Sequence, residues 1–165
     1  MEVFLDQFQD LKHFELKEIK SITANSDDNK VTREGGSGKV YSGVAFKRLN
    51  LISNSGQGNP KFVKEIFMLS RYTHDNLISC VGFCSEDDEK VLVYKHEYHG
   101  SLDCHLNNMS VMLMQCLKIY LGVARGLCYL HSPKETHQRV IHRDIKNSNI
   151  LMDENWNAKG SDMRL

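Results

Sequence analysis

The sequence has no excess of charge of either sign. Its 165 residues include 21 Lys and Arg and 21 Asp and Glu, so the formal net charge is zero at pH 7. A protein that binds nucleic acid concentrates positive charge against the phosphate backbone, and an acidic tail has the opposite excess. The composition therefore argues against a nucleic-acid partner.

Long apolar runs are also missing. Apolar stretches such as residues 91–94 fall far short of the roughly 20 residues that a helix needs to cross a bilayer. Residues 1–10 lack the basic and then apolar pattern of a secretory signal. Apolar residues still make up 41% of the chain, which is enough for a core. We therefore expect a soluble, cytoplasmic chain without a membrane span.

The cysteines form no regular pattern. There are five of them, an odd number, and no two have the spacing of zinc ligands. We favour reduced thiols in the core. A metal site is the alternative interpretation for four clustered side chains, although no apolar scaffold fixes their geometry. These side chains are His96, His99, Cys104 and His105.

Hydrophobic spacing and turn residues predict an α+β fold. The predicted elements are a short helix at 14–24, strands joined by glycine turns at 31–47, a helix at 60–72, two strands at 77–83 and 90–94, and a long helix at 112–130. We expect the last two strands to pair as a hairpin, because an acidic turn separates them. We expect the long helix to be buried along one stripe of six positions. This stripe contains Leu113, Leu117, Tyr120, Ala124, Leu127 and Leu130.

The most specific motif lies at residues 141–151, which read Ile-His-Arg-Asp-Ile-Lys-Asn-Ser-Asn-Ile-Leu. It resembles the catalytic loop of protein kinases, in which an Asp and an Asn stand a fixed distance apart. Phosphoryl transfer needs a carboxylate that accepts the proton of the attacking hydroxyl, and a neutral oxygen ligand for a metal that bridges the phosphates. Asp144 and Asn149 supply these groups. Lys146 resembles the lysine that Ser/Thr kinases place near the transferred phosphate.

Two upstream features fit the same resemblance. Residues 44–47 read Val-Ala-Phe-Lys and resemble the strand whose lysine binds the α- and β-phosphates of ATP. Glu65 lies in the middle of the predicted helix, where the partner glutamate of the family belongs. We therefore expect an ion pair between Lys47 and Glu65. Taken alone, both residues would be interpreted as ordinary surface charges.

The resemblance assigns further residues to ATP and Mg²⁺. Glycines would let backbone amides approach the phosphates, and hinge residues would recognise adenine through backbone groups between apolar side chains. The glycines are Gly35, Gly36 and Gly38, the hinge residues are Lys95 and Glu97, and the apolar residues are Val40 and Ala45 above the base and Leu151 below it. Asp162 aligns with the metal-binding Asp of the Asp-Phe-Gly segment of kinases.

With residues 14–19, 122–131 and 153–159, these motifs make most of the chain similar to the kinase domain of plant receptor-like kinases. The resemblance implies ATP- and Mg-dependent phosphoryl transfer to Ser or Thr of a protein substrate. It also implies parent proteins that are membrane receptors with a cytoplasmic kinase domain. It divides the chain into a lead-in at 1–30, a small lobe with the hinge at 31–97, and the start of a large lobe at 98–165.

Several positions depart from the family pattern. Arg33 replaces the first glycine of the glycine-rich loop, and Arg164 replaces the glycine that should follow in the Asp-Phe-Gly segment. Only eight residues separate Gly38 from Lys47. A tight hairpin needs about two turn residues, so either one strand shortens or Lys47 is displaced. We expect a poorly aimed Lys47 and weak nucleotide binding.

The end of the chain at Leu165 precedes the activation segment of the family. The resemblance therefore implies an incomplete large lobe, an exposed apolar face on the long helix and impaired kinase activity. A non-catalytic pseudokinase or interaction fragment that competes with a full kinase is the alternative function. An inert product of a decayed gene is the third hypothesis.

Overall fold

The computed structural model describes residues 11–23, 33–35, 38–41, 44–48, 58–86, 89–106, 113–132 and 138–163. The chain divides into two compact units. The first contains Met1–Glu34, Gly38–Arg71 and Ser79–Lys95, and the second contains Gly35–Ser37, Tyr72–Ile78 and His96–Leu165. Both strands and helices are present, so the predicted α+β fold is confirmed.

The first unit is built on a six-stranded sheet. Its strands and helices, in chain order, are β1 (Lys12–His13), α1 (Leu16–Ile22), β2 (Arg33–Gly35), β3 (Gly38–Tyr41), β4 (Val44–Arg48), α2 (Gly58–Arg71), β5 (Cys80–Glu86) and β6 (Glu89–Lys95). The strand order across the sheet is β1-β5-β6-β4-β3-β2. The predicted hairpin is present, because β5 and β6 pair antiparallel.

The lead-in segment belongs to the core of this unit. Strand β1 adds to the sheet parallel to β5, and three apolar side chains that follow it are buried against the sheet. These side chains are Phe14, Leu16 and Ile19. Helix α1 begins with a capping box between Glu15 and Glu18, and the Glu86 carboxylate accepts a hydrogen bond from the Leu16 amide at 3.1 Å. Strand β1 was not predicted, because two residues are too few to show an alternating pattern.

The β3–β4 hairpin corrects the expectation that Lys47 is displaced. Tyr41 pairs with Val44, so only positions 42 and 43 lie between the two strands. Two residues are the shortest common hairpin connection, so the short segment fits by shortening a strand. Lys47 stays in register opposite Leu92 of β6. The structure of residues 42 and 43 themselves lies outside the described part of the chain, as does that of Gly36.

The second unit combines a three-stranded sheet with one long helix. Its elements are β7 (Gly100–Ser101), a 3-10 helix (Leu102–His105), α3 (Leu113–His131), a second 3-10 helix (Asn147–Asn149), β8 (Ile150–Met152) and β9 (Ala158–Gly160). Strand β8 lies between β7 and β9 and pairs antiparallel with both. The core between this sheet and α3 contains Leu102, Ile119, Ile150, Met152 and Ala158.

The buried face of α3 differs from the predicted stripe. Ile119, Gly122, Gly126 and Leu130 are buried, whereas Leu113, Leu117 and Tyr120 are each more than half exposed. The prediction was right for Leu130 and wrong for Leu113, Leu117 and Tyr120, because it gave glycine no weight as a packing residue. Gly122 and Gly126 face Asn76, and a Cβ atom at either position would lie 2.9 Å from an atom of Asn76. Leu113, Leu117 and Tyr120 instead form an exposed apolar face on α3.

Two further features concern the described residues only. No helix among them is both long and apolar enough to cross a bilayer. The five cysteines are free thiols, but the expectation that they lie in the core was wrong for Cys104 and Cys128, which are exposed, and Cys84 is the one that is fully buried.

The approach of α3 to Asn76 predicts the effect of adding one methyl group. Gly126→Ala should lower the free energy of unfolding by about 1–2 kcal/mol, because overpacking against the Asn76 backbone oxygen outweighs the roughly 1 kcal/mol that alanine contributes to helix propensity. Gly160→Ala is the matched control, since its Cβ atom would come no closer than 3.5 Å to the Leu77 side chain and 3.7 Å to the Asn76 carbonyl oxygen, both ordinary contact distances. Urea denaturation measures the free energy of unfolding of both variants and of the wild type. A Gly126→Ala protein more stable than the wild type would contradict this packing.

Candidate functional site

The first unit contains an ion pair between β4 and α2. The Lys47 Nζ atom lies 2.7 Å from Glu65 Oε1, and their side chains are only 22% and 10% exposed. The Tyr94 hydroxyl, on β6, donates a hydrogen bond to the same carboxylate oxygen at 2.9 Å. The predicted ion pair is therefore present, and a third residue supports it. Partial burial makes such a pair stronger than a surface pair, provided that hydrogen bonds satisfy the charges.

The packing of α2 explains why Glu65 reaches Lys47. The apolar face predicted for this helix is buried, with Phe62, Ile66 and Leu69 each at most 9% exposed. Glu65 precedes Ile66 at the edge of this face, so its side chain reaches the sheet beside it. Lys47 comes from β4 at the position opposite Leu92. Two independently packed elements thus bring the two charges together.

Cys80 of β5 lies near this pair and has an unreactive thiol. Burial raises the pKa of its thiol to about 11, and the negative charge of Glu65 acts in the same direction. The thiol donates hydrogen bonds to the Gly82 and Val93 carbonyls. The thiol therefore stays protonated near neutral pH. This agrees with the interpretation of the cysteines as reduced thiols.

The second unit holds the residues of the 141–151 motif. Asn149 Nδ2 donates to the backbone oxygen of Asp144 at 2.9 Å and to its Oδ2 atom at 3.0 Å. Lys146 Nζ lies 3.5 Å from the same Oδ2 atom. The motif is held as a compact loop because the Asn149 amide donates back to the Lys146 carbonyl at 2.9 Å. An amide and an ammonium thus fix one carboxylate, and these three residues are the ones that the motif predicted.

Two residues outside the predicted set complete this arrangement. Ser161 donates two hydrogen bonds to the Asn149 carbonyl, from its backbone N–H at 2.9 Å and from its hydroxyl at 3.1 Å. His142 is 2% exposed, and its Nδ1 atom lies 3.4 Å from the Asp144 amide. Burial lowers the pKa of His142 below its ordinary value of 6.5, against hydrogen bonds to backbone groups and the charge of Asp144. The buried imidazole is therefore neutral at pH 7.

Strand β9 connects this loop to the segment that contains Asn76. Asn76 Nδ2 donates to the Ala158 carbonyl, and the Asn76 carbonyl accepts from the Gly160 amide, both at 2.9 Å. Ser161 and Asp162 follow β9 directly. Asp162 has a φ angle of 61°, in the left-handed region that residues other than glycine rarely adopt. The end of β9 thus places Asp162 one residue beyond an anchored serine.

Most of the remaining predicted site residues lie in strands. Gly35 ends β2, Gly38 begins β3, and Val40 pairs with Ala45 across the β3–β4 hairpin. Ala45 and Leu151 are buried. In the hinge, the Lys95 amide donates to the Ser79 carbonyl and the Glu97 carbonyl accepts from the Gly100 amide, both at 3.0 Å. Gly36 and Arg164 lie outside the described residues.

The proposed histidine and cysteine cluster forms a different structure from a metal site. The His99 ring stacks on Trp156 with ring centroids 3.9 Å apart, and His105 Nε2 lies 2.8 Å from the His99 carbonyl. Across the described ranges, no three His, Cys, Asp or Glu side chains converge in a way that could hold a metal ion. These histidines pack against an indole.

The buried His142 predicts a pH dependence of stability. In the unfolded chain His142 is protonated near pH 6.5, whereas in the folded protein its pKa is lower. The free energy of unfolding should therefore fall as the pH drops below about 6.5. His142→Gln should reduce the slope between pH 7 and pH 5 by up to about 1.4 kcal/mol per pH unit, the limit for one proton. Urea denaturation at several pH values in this range measures the slope, and His131→Gln, at an exposed histidine, is the control. An unchanged slope in His142→Gln would contradict the assignment.

Comparisons with known proteins identify the family of this chain. The sequence model of the protein kinase domain matches residues 29–164. The receptor-like protein kinase FERONIA of Arabidopsis thaliana is 44% identical over 165 residues, an alignment that covers 93% of this chain and 18% of FERONIA. The receptor-like protein kinase ANXUR1 of the same plant is 44% identical over 164 residues, which cover 93% of this chain and 19% of ANXUR1.

A third relative is shorter. The probable serine/threonine-protein kinase PBL28 of Arabidopsis thaliana is 37% identical over 163 residues, which cover 92% of this chain and 44% of PBL28. The chain thus spans less than half the length of these relatives. The resemblance to plant receptor-like kinases is confirmed. The family match over most of the chain, together with the paired Lys47 and Glu65 and the loop that fixes Asp144, establishes that this chain belongs to the protein kinase domain family.

Proposed function

We propose that this protein transfers the γ-phosphoryl group of ATP to Ser or Thr hydroxyls of proteins. The observation that carries the proposal is the fixed Asp144 carboxylate, held by Asn149 and approached by Lys146 within one matched motif. Positioning and electrostatic stabilisation account for nearly all of the catalysis of phosphoryl transfer. A carboxylate that is already oriented suits this requirement.

Asp144 is the proposed general base. Its side chain is 19% exposed, so solvent or a substrate hydroxyl can reach it, while Asn149 prevents its rotation. A carboxylate within hydrogen-bond distance of a Ser or Thr hydroxyl would accept the proton as the oxygen attacks. Lys146 is half exposed, and its Nζ atom approaches the same Oδ2 atom to which Asn149 donates. Its ammonium group would offset negative charge on the transferred phosphoryl group.

The donor atoms of two residues fit a magnesium ion. Because Asn149 Nδ2 is committed to Asp144, the Oδ1 atom of the same amide is directed away from that carboxylate. Amide and carboxylate oxygens are the hard ligands that Mg²⁺ accepts. Asn149 and Asp162 would hold the ion, which when bound neutralises charge on the phosphates. The contribution of the chain is to fix both ligands before the nucleotide arrives.

Lys47 and three glycines are proposed to bind the phosphates of the nucleotide. The ion pair with Glu65 holds the Lys47 ammonium group in place, where it would contact the α- and β-phosphates. Amides of Gly35, Gly36 and Gly38 would approach the phosphates. The expectation of weak binding rested on a hairpin too short for both a glycine loop and a correctly aimed Lys47, and the register of β4 supports a correctly placed Lys47.

Recognition of adenine is proposed to use backbone groups of the hinge. The Lys95 amide and the Glu97 carbonyl already bond within the protein. We propose that further backbone groups of Lys95 and Glu97 form the hydrogen bonds to the base. Val40, Ala45 and Leu151 are the apolar residues that we propose to contact the ring. None of these contacts depends on the identity of the Lys95 side chain.

A protein substrate and a cytoplasmic location complete the proposal. The protein substrate is proposed from relatives named as receptor-like and serine/threonine-protein kinases, and the cytoplasmic location from the resemblance to the kinase domain of membrane receptors. The division into a lead-in at 1–30, a small lobe at 31–97 and the start of a large lobe at 98–165 remains part of this proposal. A non-catalytic pseudokinase that binds nucleotide is the second candidate. The fixed Lys47 favours nucleotide binding under either function.

The first test concerns Asp144. Asp144→Asn should reduce transfer of labelled phosphate from ATP to a Ser/Thr peptide by about 10²- to 10⁴-fold, because the general base is lost. Mg-ATP should still raise the melting temperature, since the nucleotide contacts remain. Asp75→Asn changes an exposed carboxylate and serves as the control. A wild-type protein that binds Mg-ATP but transfers no phosphate would contradict the catalytic proposal and support the pseudokinase.

The second test concerns Lys47. Lys47→Ala should weaken Mg-ATP binding about 10- to 100-fold, because a charge-assisted contact contributes about 1.5–3 kcal/mol. Lys64→Ala removes an exposed lysine from the same helix as Glu65 and should leave the affinity unchanged. Fluorescence titration with an ATP analogue measures both dissociation constants. Equal affinities for Lys47→Ala and the wild type would contradict the assigned role.

A further inference from the structure

Ser161 links two parts of the second unit that the proposed function uses. Its side chain is buried at 5% exposure, and its hydroxyl and backbone N–H both donate to the Asn149 carbonyl. A carbonyl oxygen has two lone pairs, so both hydrogen bonds can form at once. The side chain of the same Asn149 holds the Asp144 carboxylate. One serine thus contacts the residue that orients the proposed base.

The residue after Ser161 has an unfavourable backbone conformation. Asp162 has a φ angle of 61°, and a residue with a Cβ atom keeps this conformation only where the surrounding structure holds it. On the N-terminal side, Gly160 is fixed by its amide bond to the Asn76 carbonyl. Ser161 is therefore the last anchored residue before Asp162.

We propose that the Ser161 hydroxyl is a positioning group for the metal ligands Asn149 and Asp162. This inference rests on the proposed function of that site. The hydroxyl fixes the Asn149 backbone, and through the same bond it restricts the chain that leads into the left-handed Asp162. Ser161 itself would touch neither the nucleotide nor the metal, and it acts through its two neighbours.

The hydroxyl can be removed without removing the anchor. In Ser161→Ala the backbone N–H still donates to Asn149, so the carbonyl keeps one partner and the protein keeps its fold. Ser161→Thr retains the hydroxyl and is the conservative rescue. Ser70→Ala is the matched control, because it also deletes a serine hydroxyl that donates to a backbone carbonyl, that of Phe67 at 3.0 Å.

The test measures Mn²⁺ binding to the protein with ATP by electron paramagnetic resonance, and ATP binding without metal in EDTA. Ser161→Ala should weaken Mn²⁺ binding about three- to tenfold, the effect of one lost hydrogen bond, and leave the metal-free affinity for ATP unchanged. The kcat for phosphate transfer should fall by a similar factor, with the KM for peptide unchanged. Ser161→Thr should recover the wild-type Mn²⁺ affinity.

The outcomes separate this inference from the proposed function. If the wild type transfers no phosphate but Ser161→Ala still weakens Mn²⁺ binding selectively, the positioning role stands and the kinase activity does not. If the wild type is active and Ser161→Ala binds Mn²⁺ as the wild type does, only the positioning role is overturned. Three other results would also overturn the positioning role. The first is an equal loss of metal-dependent and metal-free ATP binding in Ser161→Ala, and the second is the same selective loss in Ser70→Ala. The third is a wild type that does not bind Mn²⁺.

Discussion

The second unit depends on how closely Asn76 approaches helix α3. Only residues without a Cβ atom permit this distance, and Gly122 and Gly126 provide it on one face of the helix. Held there, Asn76 bonds to both ends of β9 through its side chain and its carbonyl. A small packing constraint on the helix therefore fixes the strand that leads to the proposed metal ligand.

The hydrogen bonds that follow β9 extend this constraint to the proposed general base. Ser161 bonds to the Asn149 backbone, and the Asn149 side chain bonds to Asp144. Each of these groups is buried or partly buried, so the bonds compete little with water. In the first unit, Tyr94 has a comparable role, because it donates to the Glu65 oxygen that also pairs with Lys47. In each unit a further residue bonds to the group that holds a charged side chain. Tyr94 bonds to Glu65, the partner of Lys47, and Ser161 bonds to Asn149, the partner of Asp144.

Much of the fold and of the site could be predicted from the sequence, and the failures have identifiable causes. The helix that carries Glu65 and the β5–β6 hairpin were predicted because their hydrophobic spacing is local. The buried face of α3 was not, since apolar spacing cannot reveal that glycines form the contact. The displacement expected of Lys47 was wrong because segment length alone does not fix a strand register. Pairing across the sheet decided it.

The sequence by itself determined which chemical groups are present and in what order. Asp144, Lys146 and Asn149 lie within six positions of one another, and the geometry of such a short loop depends mostly on its own residues. Tertiary structure decided which distant residues support them. Tyr94 is 29 positions from Glu65, Ser161 is 12 from Asn149, and Asn76 is 82 from Ala158. No local pattern specifies such contacts, because they form only when packed strands and helices bring separate parts of the chain within hydrogen-bond distance.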